Sequence, residues 1–127
     1  MGTTAPPAAL SATGLRVAVV AARYNAELVD QLIAGARAAW LAAGGEAGAL
    51  RVERVPGAFE LPLAAQALAR RGGCDAVVAL GCIIRGDTAH FDFVAGECAR
   101  GLQQVMLATG VPVAFGVLTT ENVAQAQ

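Results

Sequence analysis

This 127-residue chain contains no lysine, one histidine, one tyrosine and one tryptophan. Each shortage excludes some chemistry. Without lysine there is no Schiff-base amine and no phosphate-loop lysine. With one histidine, and three cysteines (Cys74, Cys82, Cys98) that form no C-x-x-C pair, the ligand spacing of a zinc site is missing. The odd cysteine count reads as reduced thiols in a cytoplasmic protein rather than a disulfide framework. The longest apolar run, Ala76–Ile84, has nine residues including one glycine. A transmembrane helix needs roughly 20, so no membrane role is expected. The start of the chain carries neither the basic cluster nor the apolar stretch of a secretory signal. Nine arginines against ten acids leave a net charge of −1 and no basic face for nucleic acid.

Charge is scarce throughout. Only 15% of residues are charged, while 56% are apolar, against about 25% charged in an average domain. So few charges cover a small isolated domain poorly, and a subunit interface is the natural place for the surplus apolar surface.

Residues 1–14 (MGTTAPPAALSATG) read as a flexible arm, because Pro6, Pro7 and scattered small residues oppose regular structure. Residues 15–127 read as a single domain. Val17–Ala22 is a β-branched run suited to a buried strand. Asn25 stands where it can cap a following helix. On that helix Leu28, Leu32, Ile33, Ala36 and Trp40 share one face, and Gly44-Gly45 ends it. Leu50–Val55 is a second strand. Phe59–Arg71 is a second helix, closed by Gly72-Gly73. Ala76–Ile84 is the central strand. Phe91, Val94, Ala95, Cys98, Leu102, Val105 and Met106 mark a third helix, stopped by Gly110. Val113–Leu118 is a fourth strand, and Asn122–Gln127 is again helical. Alternation of this kind predicts an α/β fold: a flavodoxin-like three-layer αβα sandwich around a four-stranded parallel sheet. Ligands of such sheets bind beyond the carboxyl ends of the strands. The loops to inspect are therefore Arg23–Asn25, Pro56–Glu60, Cys82–His90 and Thr119–Asn122.

The third loop, Gly81-Cys82-Ile83-Ile84-Arg85-Gly86-Asp87-Thr88-Ala89-His90, is the richest. It opens a helix, whose free N–H groups and positive dipole end attract a phosphate. Gly86 allows close backbone approach, and Thr88 adds a hydroxyl. The Asp87 carboxylate would repel an anion, so its backbone N–H must be used and its side chain turned away. His90 falls on the first helical turn, where an imidazole can shuttle protons or simply sit hydrogen-bonded on the surface. Tyr24 offers a ring for stacking on a planar heterocycle, or ordinary rim packing. Phe59 and Phe115 taken singly read as core, and Glu60 as a helix-stabilising acid. Arg85 suits either a phosphate or an intersubunit ion pair.

Taken together, Arg23-Tyr24-Asn25, Pro56-Gly57-Ala58-Phe59-Glu60, Gly81–Asp92 and Gly110–Asn122 resemble the lumazine synthase family in order and spacing, over essentially all of residues 14–127. The resemblance implies condensation of 5-amino-6-(D-ribitylamino)uracil with 3,4-dihydroxy-2-butanone 4-phosphate to 6,7-dimethyl-8-ribityllumazine, a step of riboflavin biosynthesis that uses no cofactor and no metal. It implies that Tyr24 and Asn25 flank the pyrimidine, and that Cys82, Ile83 and Ile84 meet its edge through their backbone. Ala58, Phe59 and Glu60 would line the ribityl chain. Gly86, Asp87 and Thr88 would hold the phosphate, and His90 would transfer protons. Phe115 would stand in a wall lent by a neighbouring subunit of a homopentamer, or of an assembly of pentamers. Tyr24 replaces a usual Phe or Trp, and Cys82 an often-seen Thr. The family also continues past the position of Gln127 with a phosphate-gripping arginine, a glycine- and lysine-bearing loop and a final helix, which this sequence does not contain. A non-catalytic relative that binds flavin or lumazine, or forms a shell, is the alternative expectation.

Overall fold

The computed structural model describes Gly2, Thr4 and residues 10–127. Half of the arm expected over residues 1–14, residues 1, 3 and 5–9, therefore lies outside the described residues. At its end Ala12 is buried and its N–H donates to the Ala43 carbonyl at 2.9 Å.

Strands β1 (Val17–Ala22), β2 (Leu50–Val55), β3 (Ala76–Ile84) and β4 (Val113–Thr120) form one sheet in the order β2-β1-β3-β4, with every ladder parallel. The helices are α1 (Ala26–Ala42), α2 (Leu61–Arg71), α3 (His90–Thr109) and the short α4 (Val123–Ala126). Two-residue periodicity in the strands splits the core into two layers. Ala18, Val20, Val77, Ala79 and Val117 face α2 and α3, packing with Leu61, Ala65, Leu68, Cys98, Leu102 and Val105. Val19, Ala21, Leu50, Leu80 and Cys82 face the other way, against Leu28, Val29, Leu32, Ile33, Ala36 and Trp40 of α1. Helices thus cover both faces, as the alternation predicts. No polar or charged residue is buried among the described residues.

Helix ends follow local chemistry. Gly110 closes α3 in the left-handed region (φ 72°), and its N–H donates to Met106 O, a conformation that costs glycine nothing. Gly45 lies under the Trp40 indole so closely that a Cβ would come within 2.3 Å of the ring. One expectation fails. Asn25 does not cap α1 with its side chain: it is itself left-handed (φ 56°, ψ 49°), whereas an N-cap needs extended backbone. Its Nδ2 instead donates to the Cys82 carbonyl at 2.8 Å. Asn122 does cap, accepting from the Gln125 N–H at 2.9 Å.

Cys98 is fully buried in the α2–α3 layer, and burial pushes its thiol up to about 11. A thiol that is neutral at pH 8 is a poor nucleophile. Iodoacetamide at pH 8 should therefore leave Cys98 unmodified in the folded protein over times that alkylate the partly exposed Cys74. The raised value also stabilises the fold fully below the ordinary thiol range, and that contribution should fade as pH rises from about 9 toward 11. Equal labelling of the two thiols, read by peptide mass, would contradict this packing.

Candidate active site

The chain leaves β1 to place β2 on one side, then crosses back to place β3 on the other. The reversal creates a crevice at the carboxyl ends of β1 and β3, the usual ligand position in such sheets. A cleft of about 690 Å³ opens there. Backbone bonds tie its rim together. Arg23 N–H donates to Val55 O at 2.8 Å, and Tyr24 N–H to Pro56 O at 3.2 Å, so the first two loops move as one. The Asn25–Cys82 bond spans the crevice from the first loop to the end of β3.

Eleven of the thirteen residues expected at the site line this cleft: Tyr24, Asn25, Ala58, Phe59, Glu60, Cys82, Ile83, Ile84, Gly86, Thr88 and His90. Loops from three separate parts of the chain thus converge. Tyr24 is 75% exposed and Phe59 60% exposed, so both rings present free faces in the cleft rather than filling the core. A short 3₁₀ turn, Ala58–Glu60, presents Phe59 and Glu60, and Pro62 in the first turn of α2 suits a helix start. A Cβ on Gly57 would lie 3.7 Å from a Glu60 carboxylate oxygen and 3.9 Å from the Tyr24 ring, so these two groups stand either side of a small gap. The Cys82 thiol is pushed up by burial and stays protonated near neutrality, so it offers shape and not a thiolate.

The start of α3 forms the other wall. The His90 backbone N–H donates to Thr88 Oγ1 at 3.3 Å, and no side chain caps Ala89. The Asp92 N–H donates to Ala89 O at 3.0 Å, so the Phe91 N–H is the one on this turn left open to an anion. A Cβ at Gly86 would meet nothing within 4 Å, so ligand can approach its backbone. His90 is exposed beside this turn.

Two expected residues do not line the cleft. Asp87 is exposed but absent from its wall. Phe115 pairs with Ala79 in mid-strand, five residues below the Ile84–Thr120 rung at the rim. At about 3.3 Å per residue it lies roughly 16 Å below that rung and about 10 Å below Cys82, the lowest β3 residue lining its own chain's cleft. Phe93 and Val94 were not expected as lining, yet they stand three and four residues past His90 and share its helix face. That spacing is the signal that could have found them.

Arg85, left open by the sequence, makes its contacts within the chain. It pairs with Asp92 at 3.3 Å and Glu121 at 2.8 Å and lies 4.3 Å above the Phe91 ring centroid. The hydrogen bonds to Asp92, then Glu121, raise its already high pKa.

Comparison with known proteins supplies the family. Residues 14–127 match the family model described as 6,7-dimethyl-8-ribityllumazine synthase. The chain belongs to this family. It is 58% identical over 125 residues to the 6,7-dimethyl-8-ribityllumazine synthase of Kineococcus radiotolerans, covering 98% of this chain and 76% of that relative. Within the lumazine synthase family the sheet-edge cleft is therefore the candidate active site.

Proposed function

We propose that this chain condenses 5-amino-6-(D-ribitylamino)uracil with 3,4-dihydroxy-2-butanone 4-phosphate, giving 6,7-dimethyl-8-ribityllumazine, phosphate and water. One observation carries the reading beyond family membership. A single cleft gathers an exposed aromatic ring, a carboxylate, an open helix start and the chain's only histidine.

The roles follow from that geometry. Tyr24 stacks on the pyrimidine, whose edge meets the backbone of Cys82–Ile84. Glu60 and the Ala58–Phe59 turn receive the hydroxyl-rich ribityl chain. The phosphate sits at the start of α3, on N–H groups beside Gly86 and Thr88, with the Asp87 side chain outside. Both substrates are then held against each other, and positioning alone removes much of the barrier to a two-substrate condensation. Imine formation, phosphate loss and ring closure each move a proton, and His90 is the group placed to carry it.

The same reading makes the protein a homopentamer in the cytoplasm, with active sites at subunit interfaces. Leu63, Phe93 and Leu107 are each at least 70% exposed, an apolar burden suited to an interface. Phe115, too low for its own cleft, is free to wall a neighbour's. Among the described residues no helix is long and apolar enough to cross a membrane.

The test is direct. Both substrates are mixed with the protein and lumazine formation is followed by its absorbance and fluorescence. Product well above the uncatalysed background is expected. Pyrimidine binding without product would replace the enzyme by a binding or shell-forming relative.

A further inference from the structure

We propose that Arg85 is a positioning residue for His90, a clamp that fixes the short loop between β3 and α3 so that the imidazole and the helix-start N–H groups face bound substrate. This rests on the proton-transfer role of His90 proposed above.

The loop between β3 and α3, Arg85–Ala89, has only five residues, and the Arg85 side chain bridges it to α3. Nη1 donates to Asp92 Oδ2 at 3.4 Å while Nη2 lies 3.3 Å from Asp92 Oδ1, a paired fork on the first turn of α3. The guanidinium also lies over the Phe91 ring, a cation–π arrangement. Both contacts fall on the two residues that immediately follow His90. Nε reaches Glu121 Oε2 at 2.8 Å, and the Arg85 backbone N–H donates to Thr120 O at 2.9 Å. Arg85 therefore ties the start of α3 to the end of β4, by its side chain through Asp92 and Glu121 and by its backbone through Thr120. Asp92 and Glu121 are 61% and 59% exposed and the Arg85 side chain 37%, and ion pairs this open to solvent stabilise folds little. A stability role thus explains the arrangement poorly, whereas fixing a loop explains why three partners converge on one planar group. Lysine keeps the charge but has neither the fork nor the stacking plane. Arg85 does not line the cleft, so its effect must pass through the residues that do.

The experiment compares Arg85→Gln and Arg85→Lys in the full chain, each alone and combined with His90→Ala. Arg85→Gln should lower kcat by about tenfold, since small misplacement of a reacting group is costly. The KM for the pyrimidine should change less than twofold and Tm by no more than a few degrees. Arg85→Lys should recover only part of the rate. In the His90→Ala background Arg85→Gln should cause no further loss. Hydrogen exchange of the 86–90 amides should be faster in Arg85→Gln, with β1 unaffected. Unchanged kcat, equal fold losses in both backgrounds, or unchanged exchange in the loop would each overturn the clamp. So would a raised KM for the phosphate-bearing substrate at unchanged kcat, which would make Arg85 a direct phosphate ligand. If His90→Ala is itself fully active, the role of His90 falls, and the exchange measurement alone decides the clamp.

Discussion

His90→Ala is expected to lower kcat by two to three orders of magnitude while the pyrimidine dissociation constant stays within about twofold, the range general acid–base groups contribute. The separation follows from where the residue stands. His90 is on the exposed first turn of α3, whereas the surfaces proposed for the pyrimidine, Tyr24 and the end of β3, belong to other elements of the cleft. Truncating an exposed side chain usually changes stability by less than about 0.5 kcal/mol, so the loss should not be unfolding. The Thr88 contact uses the His90 backbone N–H, which alanine retains. Product formation at saturating substrates gives kcat, and titration with the pyrimidine alone gives affinity. A variant as fast as the parent would remove His90 from the chemistry and leave substrate positioning as the main source of catalysis. A variant that loses pyrimidine affinity in proportion to rate would make His90 a binding residue.

Much of this was legible in the sequence, for identifiable reasons. Strands β1, β2 and β3 are readable to the residue: β1 is a β-branched run, β2 a more polar segment closed by Pro56-Gly57, and β3 the longest apolar run of the chain. The αβ alternation is enough to imply parallel pairing, and the strand-end rule then locates the cleft. What stayed hidden depends on three-dimensional competition for polar groups. Asn25 looks like a cap because Asn before a helix usually is one. Only the neighbouring β3 explains why its amide turns to Cys82 O. Arg85 has no nearby partner pattern that reveals Glu121, which is 36 positions away in sequence and adjacent only because β3 and β4 pair in register at Ile84 and Thr120. The β4 strand ran two residues past the apolar segment for the same reason, since Thr119 and Thr120 pair with Ile83 and Ile84. Phe93 falls outside the core-facing period of α3, and the cleft-facing stripe it shares with His90 is too short to show as a period of its own.

Leu61→Ala should cost about 2–5 kcal/mol, the usual range for emptying a leucine site in a packed core, and should also weaken pyrimidine binding. Leu61 is fully buried and is the largest of the completely enclosed side chains. It begins α2 directly after the 3₁₀ turn that presents Phe59 and Glu60, and its Cδ1 lies 3.4 Å from where a Cβ on Gly81 would stand, one residue before Cys82. Its side chain is thus the wedge between the turn that carries Phe59 and Glu60, proposed for the ribityl chain, and the strand proposed for the pyrimidine edge. Against a typical total stability of roughly 5–15 kcal/mol the loss is large, and Tm should fall on the order of 10 °C. Leu102→Ala is the matching control. Leu102 is as deeply buried in the same layer but sits on the middle of α3, away from the cleft wall. Both variants should unfold earlier in a thermal scan. Only Leu61→Ala should raise the pyrimidine KM, measured well below either Tm, because only there does the cavity undermine the Ala58–Glu60 turn. Equal KM changes in the two variants would mean that cleft geometry follows global stability, and that the wedge has no local role. Leu61→Met, which nearly conserves volume, should lose less than about 1.5 kcal/mol and bind the pyrimidine as the parent does.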